Sequence, residues 1–178
     1  MPTFPENAPA QVSVLESVAA TDIAELAEVL VDCVAGGASV SFMPPFEHED
    51  GKAFFTKIAG EVARGEAALL VARVAGRIVG TVQLGLALPP NQPHRADVRK
   101  LLVHRSARWH GIGTALMSAA EDAARARGRS LLVLDTALGG EAEHLYTRAG
   151  WNRVGVIPNY ALFPDGRPCD TVVFWKKL

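Results

Sequence analysis

A glycine-bearing stretch between an apolar segment and an Ala-rich segment is the first place where the residue types suggest chemistry. It reads HRSARWHGIGTAL, from His104 to Leu116. A short strand-to-helix loop leaves the first helical N–H groups unpaired and backed by the positive end of the helix dipole, which suits an anion. Arg108 adds a charge-assisted donor shortly before Gly111 and Gly113, and this combination favours a pyrophosphate. The competing interpretation is that both glycines only turn the chain.

Spacing separates this loop from two other phosphate-binding loops. A Rossmann fingerprint needs glycine at the position that Leu116 occupies, and the Gly-Lys-Ser/Thr triplet of a P-loop does not follow. Asp135 ends the next apolar run, about where a ribose-binding acid is sought, so a dinucleotide-binding oxidoreductase stays open as an alternative.

Two motifs at a suitable separation resemble one known family. RWHGIG matches the Arg/Gln-x-x-Gly-x-Gly/Ala signature of the GNAT superfamily of acyl-CoA N-acetyltransferases, and LLVHRSA resembles the strand that precedes it. Downstream, LLVLD and AEHLYTRAGW resemble the next strand and the Leu-Tyr-x-x-x-Gly-aromatic segment of that family, and the likeness covers most of the chain. A narrower likeness, in GGASVSFM, NQPHRADVRKLLV and LLVLDT, is to the family's tabtoxin resistance acetyltransferases, which acetylate the amine of a β-lactam toxin.

The resemblance implies acetyl-CoA as cosubstrate and no metal. Cys33 and Cys169 lie far apart without ligand spacing, so we expect small buried residues there and no covalent acyl intermediate. Gly139 departs from the family pattern, which often has Asn at that position, and this suggests a loop that uses its own backbone. The expected cofactor contacts, for the pantetheine chain and then the pyrophosphate, are Leu101, Leu102, Val103, Arg108, Trp109, His110, Gly111, Ile112, Gly113 and Thr114.

Acetyl transfer to an amine needs a base, an oxyanion donor and an acid for the thiolate. By resemblance, Asp97 is the base, the N–H of Leu101 meets the acetyl carbonyl, Asp135 binds or deprotonates the amine, and Tyr146 is the acid. Simple alternation puts Asp97 and Leu101 on one strand face, about 13 Å apart, so a water relay or a bulge is required. The alternative for Asp97 and Asp135 is that each carboxylate only caps a helix or stabilises a turn, and the alternative for Tyr146 is a packed aromatic ring.

The acceptor pocket should come from loops, where specificity normally lies. Ser39, Ser41 and Phe42, in GGASVSFMPPF, are the expected walls, with Tyr160 facing them from the other side, and by resemblance Asp135 also binds the acceptor. The alternative is a helix stop followed by core-packing phenylalanines. The expected acceptor is a small primary amine, such as an amino-acid-like antibiotic or toxin. A protein N-terminus or lysine, and a non-catalytic acyl-CoA sensor, stay open.

Composition limits the other classes of partner. The chain has 178 residues, is 49% hydrophobic and has a net charge of −1, which gives no electrostatic case for nucleic acid or an anionic membrane. No apolar stretch approaches the roughly 20 residues of a membrane span, and the N-terminus does not resemble a signal peptide. We therefore expect a cytoplasmic monomer or homodimer, with residues 1–178 as one domain and residues 1–10 as a flexible tail.

Hydrophobic periodicity and turn residues predict a mixed α/β (α+β) domain. We expect a twisted, mostly antiparallel sheet of about six or seven strands and about four helices, with one parallel strand pair around residues 96–135, splayed at the cofactor site as in the family. The predicted elements are a strand at Val12 to Val18, helices at residues 21–34 and 51–64, a hairpin turning at Ala75-Gly76, a strand at 96–104, a helix closed by Gly128, a strand at 131–135, a helix ending at Gly150, and last strands 151–157 and 169–177.

Overall fold

The computed structural model describes residues 9–178, and in this range seven strands form one sheet with four α-helices against it. The sheet order is β1-β2-β3-β4-β5-β7-β6, and β4–β5 is its parallel pair. The predicted fold class is confirmed. The elements are β1 Gln11–Leu15, α1 Ala20–Ala35, α2 His48–Ala63, β2 Ala67–Val74, β3 Arg77–Gly85, β4 Arg95–Val103, α3 Ile112–Ala126, β5 Leu131–Ala137, α4 Glu141–Arg148, β6 Asn152–Leu162 and β7 Pro168–Lys177, with a 3-10 turn Arg105–Ala107 after β4.

The sheet separates two apolar clusters. One cluster joins α3 and α4 to the sheet and includes Leu116, Tyr146 and Phe174. The other lies under α1 and α2 and draws its strand residues from β2, β3 and β4. Alternate residues of β2 enter the two clusters, as with Leu69 and Leu70, because both faces of this central strand are covered.

Several element ends differ from the sequence prediction for local reasons. The second helix begins at His48 rather than at 51, because the Asp50 carboxylate accepts a hydrogen bond from the Glu47 N–H at 2.8 Å and caps the turn. The last-but-one strand does not stop at 157 but continues through Pro158, which sits in an irregular stretch of the edge strand and needs no ladder N–H there. Residues 1–8 of the expected flexible tail lie outside the described residues, while Ala10 packs against the core.

The pairing of β3 with β4 shifts by one residue in the middle of β4. Arg99 and Leu102 pair with residues two apart on β3, so the two residues between them, Lys100 and Leu101, stand opposite one residue of β3. Lys100 has a φ of 52°, in the left-handed region. This is a β-bulge, which bends the strand and changes the direction of the side chains that follow.

The bulge exchanges the two faces of β4. Val98 lies in the α3 cluster, whereas Leu102 lies in the cluster under α1 and α2, although unbroken alternation would put both on one face. The prediction that Asp97 and Leu101 share a face is therefore wrong, because the extra residue at Lys100 turns the rest of the strand over. The bulge that the base role of Asp97 required is present.

Candidate active site

The two parallel strands separate in the middle of the sheet. Their pairing runs from Arg95–Leu131 to Asp97–Val133 and stops there, although β4 continues to Val103 and β5 to Ala137. Beyond Asp97, the edge of β4 that faces β5 therefore has no strand partner. Unpaired backbone groups along such an edge can bind an extended chain that carries amide groups.

Three residues on this open edge were expected to contact the cofactor. The side chain of Leu102 is 2% exposed and belongs to the core under α1 and α2, and its backbone groups face its β3 partner Thr81, so Leu102 does not present the expected cofactor contact. Leu101 and Val103 are partly buried against the α3 cluster. The N–H of His104 donates to the β3 residue Val79 at 2.8 Å, and alternation along the ladder therefore turns the backbone groups of Val103 away from β3.

The loop after β4 has the backbone of an anion cradle. Trp109 and Gly111 have φ values of 69° and 74°, and Gly111 is the N-cap of α3 without a side-chain capping bond. In the described part of the chain, the N–H groups of residues 112–114 have no acceptor. Three free donors at the positive end of a 15-residue helix fit a pyrophosphate.

The two loop glycines have different structural reasons. Gly111 is left-handed, and a Cβ built on it meets no heavy atom within 4 Å, so the space in front of it is open. The φ of Gly113 is not in the left-handed region, but a Cβ there would lie 2.9 Å from Leu145 Cδ1. Gly113 therefore allows α3 to approach α4 closely, while Gly111 shapes the cradle.

The side chains of this loop face in several directions. Arg108 is partly buried, and its Nε donates to the carbonyl of Val103 at 3.1 Å while Nη2 lies 3.9 Å from Cys33 Sγ. The guanidinium thus ties the loop to the end of β4, and its role as a pyrophosphate clamp stays a prediction. Trp109 is 82% exposed, and the exposed His110 places Nδ1 2.7 Å from the Arg108 carbonyl.

The opening between β4 and β5 leads to a cavity of about 260 Å³, which we call the amine cavity. Asp97, Asp135 and Tyr160, which were expected to act on the acceptor, all line it. Asp97 is paired with Arg95 at 2.8 Å, whereas Asp135 has no hydrogen bond or ion pair in the described part of the chain. The full lining is Asp97, Val98, Arg99, Val133, Leu134, Asp135, Ile157, Tyr160 and Val173.

Tyr146 is a packed aromatic residue, as the alternative interpretation expected, and its role as the acid stays a prediction. Its ring packs against Trp151 and Phe174, with ring centroids 5.9 Å apart in each case, and the residue is 5% exposed. Its hydroxyl has no protein partner and is not among the fully enclosed polar atoms of the described chain, so the small exposed part includes that oxygen. Burial, and then the negative charge of Asp135, raise the pKa of Tyr146, which keeps the phenol protonated and able to donate.

The loop between α1 and α2, residues 36–46, is called the acceptor loop below. Ser39 Oγ donates to the carbonyl of Leu162 in β6 at 2.8 Å, which joins this loop to the strand that carries Tyr160. Phe42 packs against Phe46 and Phe54, with centroids 4.5 and 5.2 Å away. The expected aromatic packing is therefore present, whereas Ser39, Ser41 and Phe42 are not among the residues that line the amine cavity, and their role as pocket walls stays a prediction.

Sequence reasoning missed Lys100. Its ammonium donates to the carbonyl of Val40 at 2.8 Å and to Ser41 Oγ at 2.9 Å, and it lies 5.5 Å from the centre of the Phe42 ring. The available signal was a lysine in a predicted strand, directly before the apolar residues Leu101 to Val103, because a charged side chain that becomes partly buried needs a partner.

The segment before α4 also has its backbone committed. Gly139 has a φ of 75°, and its N–H donates to the Glu143 carboxylate at 2.7 Å. That N–H is therefore occupied within the protein. Both cysteines are buried and free, as expected. In residues 9–178, no group of three or more His, Cys, Asp or Glu side chains could hold a metal ion, and no helix could cross a membrane.

Comparison with known proteins identifies the class. The family model described as the acetyltransferase (GNAT) family matches residues 37–151, so the chain belongs to that family, whose members transfer acyl groups from acetyl-CoA. The match includes the bulged strand β4, the loop after it and α4.

Solved structures share the fold at low sequence identity. A ribosomal-protein-alanine N-acetyltransferase from Brucella melitensis is 21% identical with a TM-score of 0.79, over 93% of this chain and 99% of that chain. A provisionally assigned acetyltransferase from Salmonella typhimurium, solved with its cofactor acetyl-CoA, is 19% identical with a TM-score of 0.75, over 94% of both chains. A provisionally assigned phosphinothricin N-acetyltransferase is 18% identical with a TM-score of 0.78, over 94% and 99%.

Proposed function

We propose that the protein transfers the acetyl group of acetyl-CoA to a primary amine of a small molecule by direct attack within a ternary complex. The observation that carries this proposal is that Asp97 and Asp135 line one cavity where β4 and β5 separate. A thioester bound along the open edge of β4 would end at this cavity, next to both carboxylates.

The proposed roles follow from the surroundings of each group. Asp135 makes no hydrogen bond or ion pair within residues 9–178, so it can accept the proton of the incoming ammonium, directly or through water, while the paired Asp97 shares or relays it. The N–H of Leu101, just past the bulge, is proposed to meet the acetyl carbonyl oxygen as charge develops on it. The protonated Tyr146 hydroxyl is proposed to donate to the departing thiolate.

The phosphate end is proposed to lie in the loop after β4. The free N–H groups of residues 112–114 and the open space before Gly111 would hold the pyrophosphate, with Arg108 close by. Trp109 and His110 would border it through their backbone.

The size of the amine cavity supports a small acceptor. A volume of about 260 Å³ is sufficient for a molecule of amino-acid size, and the contact of Ser39 with β6 joins the acceptor loop to the strand beside that cavity. The tabtoxin resistance likeness and the phosphinothricin N-acetyltransferase among the structural neighbours make amino-acid-like antibiotics or toxins the first acceptors to test. We further propose a cytoplasmic monomer or homodimer.

The test is a panel of amines incubated with acetyl-CoA, with free CoA thiol and acetylated amine measured together. The panel contains amino acids, amino-acid-like toxins and antibiotics, and peptides with free N-termini or lysines. We expect one thiol released per amine acetylated, with a small amine as the best substrate. A peptide as the best substrate would move the function to protein acetylation. Tight binding of acetyl-CoA without thiol release from any amine would indicate a sensor instead.

A second measurement separates acetyl-CoA from a dinucleotide as the ligand. A ligand of the native state raises the midpoint of thermal unfolding, so acetyl-CoA should raise it and NAD or NADP should not. A larger shift with a dinucleotide would overturn the proposal.

A further inference from the structure

Two residues other than glycine, Lys100 and Ser41, have left-handed backbone conformations and contact each other through their side chains. Lys100 in the bulge of β4 has a φ of 52°, and Ser41 in the acceptor loop has a φ of 76°. This region is unfavourable for side chains other than glycine, and such residues persist where their surroundings hold them. Here Lys100 Nζ donates to Ser41 Oγ at 2.9 Å, although the two residues are 59 positions apart.

The ammonium holds the loop at more than one point. Nζ also donates to the carbonyl of Val40 at 2.8 Å and stacks over the Phe42 ring, so three successive residues of the acceptor loop meet one cation. Burial lowers the pKa of Lys100, and the carboxylate of Asp135 opposes that shift. A half-buried ammonium with two oxygen acceptors makes charge-assisted hydrogen bonds, which are stronger than neutral ones.

The contact joins the two halves of the reaction site. The bulge that carries Lys100 separates Asp97, in the amine cavity, from Leu101, at the proposed acetyl position. The acceptor loop reaches β6 through Ser39 on its other side. The loop is thus bonded to two strand segments, at Lys100 and Leu162, that lie next to the cavity residues Arg99 and Tyr160.

We propose that Lys100 is a positioning residue that fixes the acceptor loop beside the amine cavity and so sets the affinity for the acceptor. The predicted effect on acceptor affinity rests on the proposed function, whereas the predicted effect on the acceptor loop rests on the structure alone. It predicts a separation of effects: weaker acceptor binding and a looser loop, with binding of acetyl-CoA preserved.

The test compares Lys100→Met, which keeps the stem and removes the ammonium, with wild type and with Lys57→Met, a surface change on α2. In the free protein, hydrogen exchange of the Ala38 amide, which donates to the Cys33 carbonyl at 3.0 Å at the start of the loop, should become at least about tenfold faster in Lys100→Met, because two charge-assisted hydrogen bonds that hold the loop are lost. Ser41→Ala should give a smaller increase. Lys57→Met should leave the exchange as in wild type.

The kinetic measurement uses the best acceptor of the amine panel. Lys100→Met should raise KM for the amine about tenfold and leave KM for acetyl-CoA within about twofold, and Lys100→Arg should restore part of the loss. If Lys100→Met does not fold, Lys100→Gly supplies the same readouts, since glycine accepts a φ of 52°.

Loop exchange and amine KM that both stay at wild-type values would overturn the inference, as would an equal rise of both KM values. If wild type acetylates no amine, the proposed function fails, and the exchange measurement still decides whether Lys100 holds the loop.

Discussion

Replacing Gly111 with alanine can distinguish the structural role of the loop after β4 from its proposed role in binding the pyrophosphate. Gly111 has a φ of 74°, and a Cβ at this position meets nothing within 4 Å, so the change introduces strain without a clash. A left-handed alanine costs about 1–2 kcal/mol. For a chain of this length, that corresponds to a fall in Tm of roughly 2–8 °C.

Gly128 offers a matched control at the other end of the same helix. Its φ is 69°, and a Cβ there also meets nothing within 4 Å, so Gly128→Ala should lower Tm by a similar amount. The difference should be seen in ligand binding. The methyl group of Gly111→Ala would stand in the space proposed for the pyrophosphate and disturb at least one charge-assisted hydrogen bond, which corresponds to about a 10–100-fold loss of affinity.

The assay is calorimetric titration of each variant with acetyl-CoA, beside thermal unfolding of the free proteins. We expect both variants to unfold earlier by similar amounts, with Gly128→Ala binding within about twofold of wild type and Gly111→Ala binding far more weakly. Equal affinities in the two variants would refute the placement of the pyrophosphate at this loop.

Three further predictions concern the proposed chemistry. Tyr146→Phe should lower kcat at least about tenfold with unchanged acetyl-CoA affinity. Burial raises the pKa of Tyr146, so the free energy of unfolding of the wild type should fall as pH rises above about 10. Urea unfolding should show this fall to be steeper than in Tyr146→Phe by up to about 1.4 kcal/mol per pH unit. Asp135→Asn should reduce kcat more than Asp97→Asn in steady-state assays, since Asp97 already has an arginine partner; the opposite order would make Asp97 the main base. Arg108→Met should weaken acetyl-CoA binding in titrations and lower Tm, because the guanidinium also ties the loop to β4; unchanged affinity would exclude the clamp.

Local signals in the sequence were sufficient for most of the fold. The hairpin of β2 and β3 turns at Ala75 and Gly76, both with positive φ, as the apolar runs on either side indicated. The parallel pair followed from a strand, helix, strand order, and it is observed as β4 and β5. Such features depend on turn residues and periodicity, which are visible in a single chain.

Features that depend on contacts between distant segments could not be predicted. A bulge between Asp97 and Leu101 was expected as one of two ways to let Asp97 act as base, but strand periodicity does not show its position at Lys100, where the side chain bonds Val40 and Ser41 of the acceptor loop. In the same way, Arg108 meets Cys33 of α1, a contact that the motif around the loop does not contain. The apolar run LLVLD predicted that Asp135 ends a strand. That Asp135 and Asp97 line the same cavity could be seen only from the arrangement of β4 and β5 in the sheet.

The most direct test of the account follows the acetyl group itself. The protein is mixed with isotopically labelled acetyl-CoA and its best amine, and the masses of protein, amine and CoA are measured over one turnover. Direct attack beside Asp97 and Asp135 predicts label on the amine, one free CoA per acetylated amine, no label on the protein at any time, and a much slower reaction in Asp135→Asn. Label on the protein before the amine, or wild-type transfer by Asp135→Asn and Asp97→Asn, would contradict it.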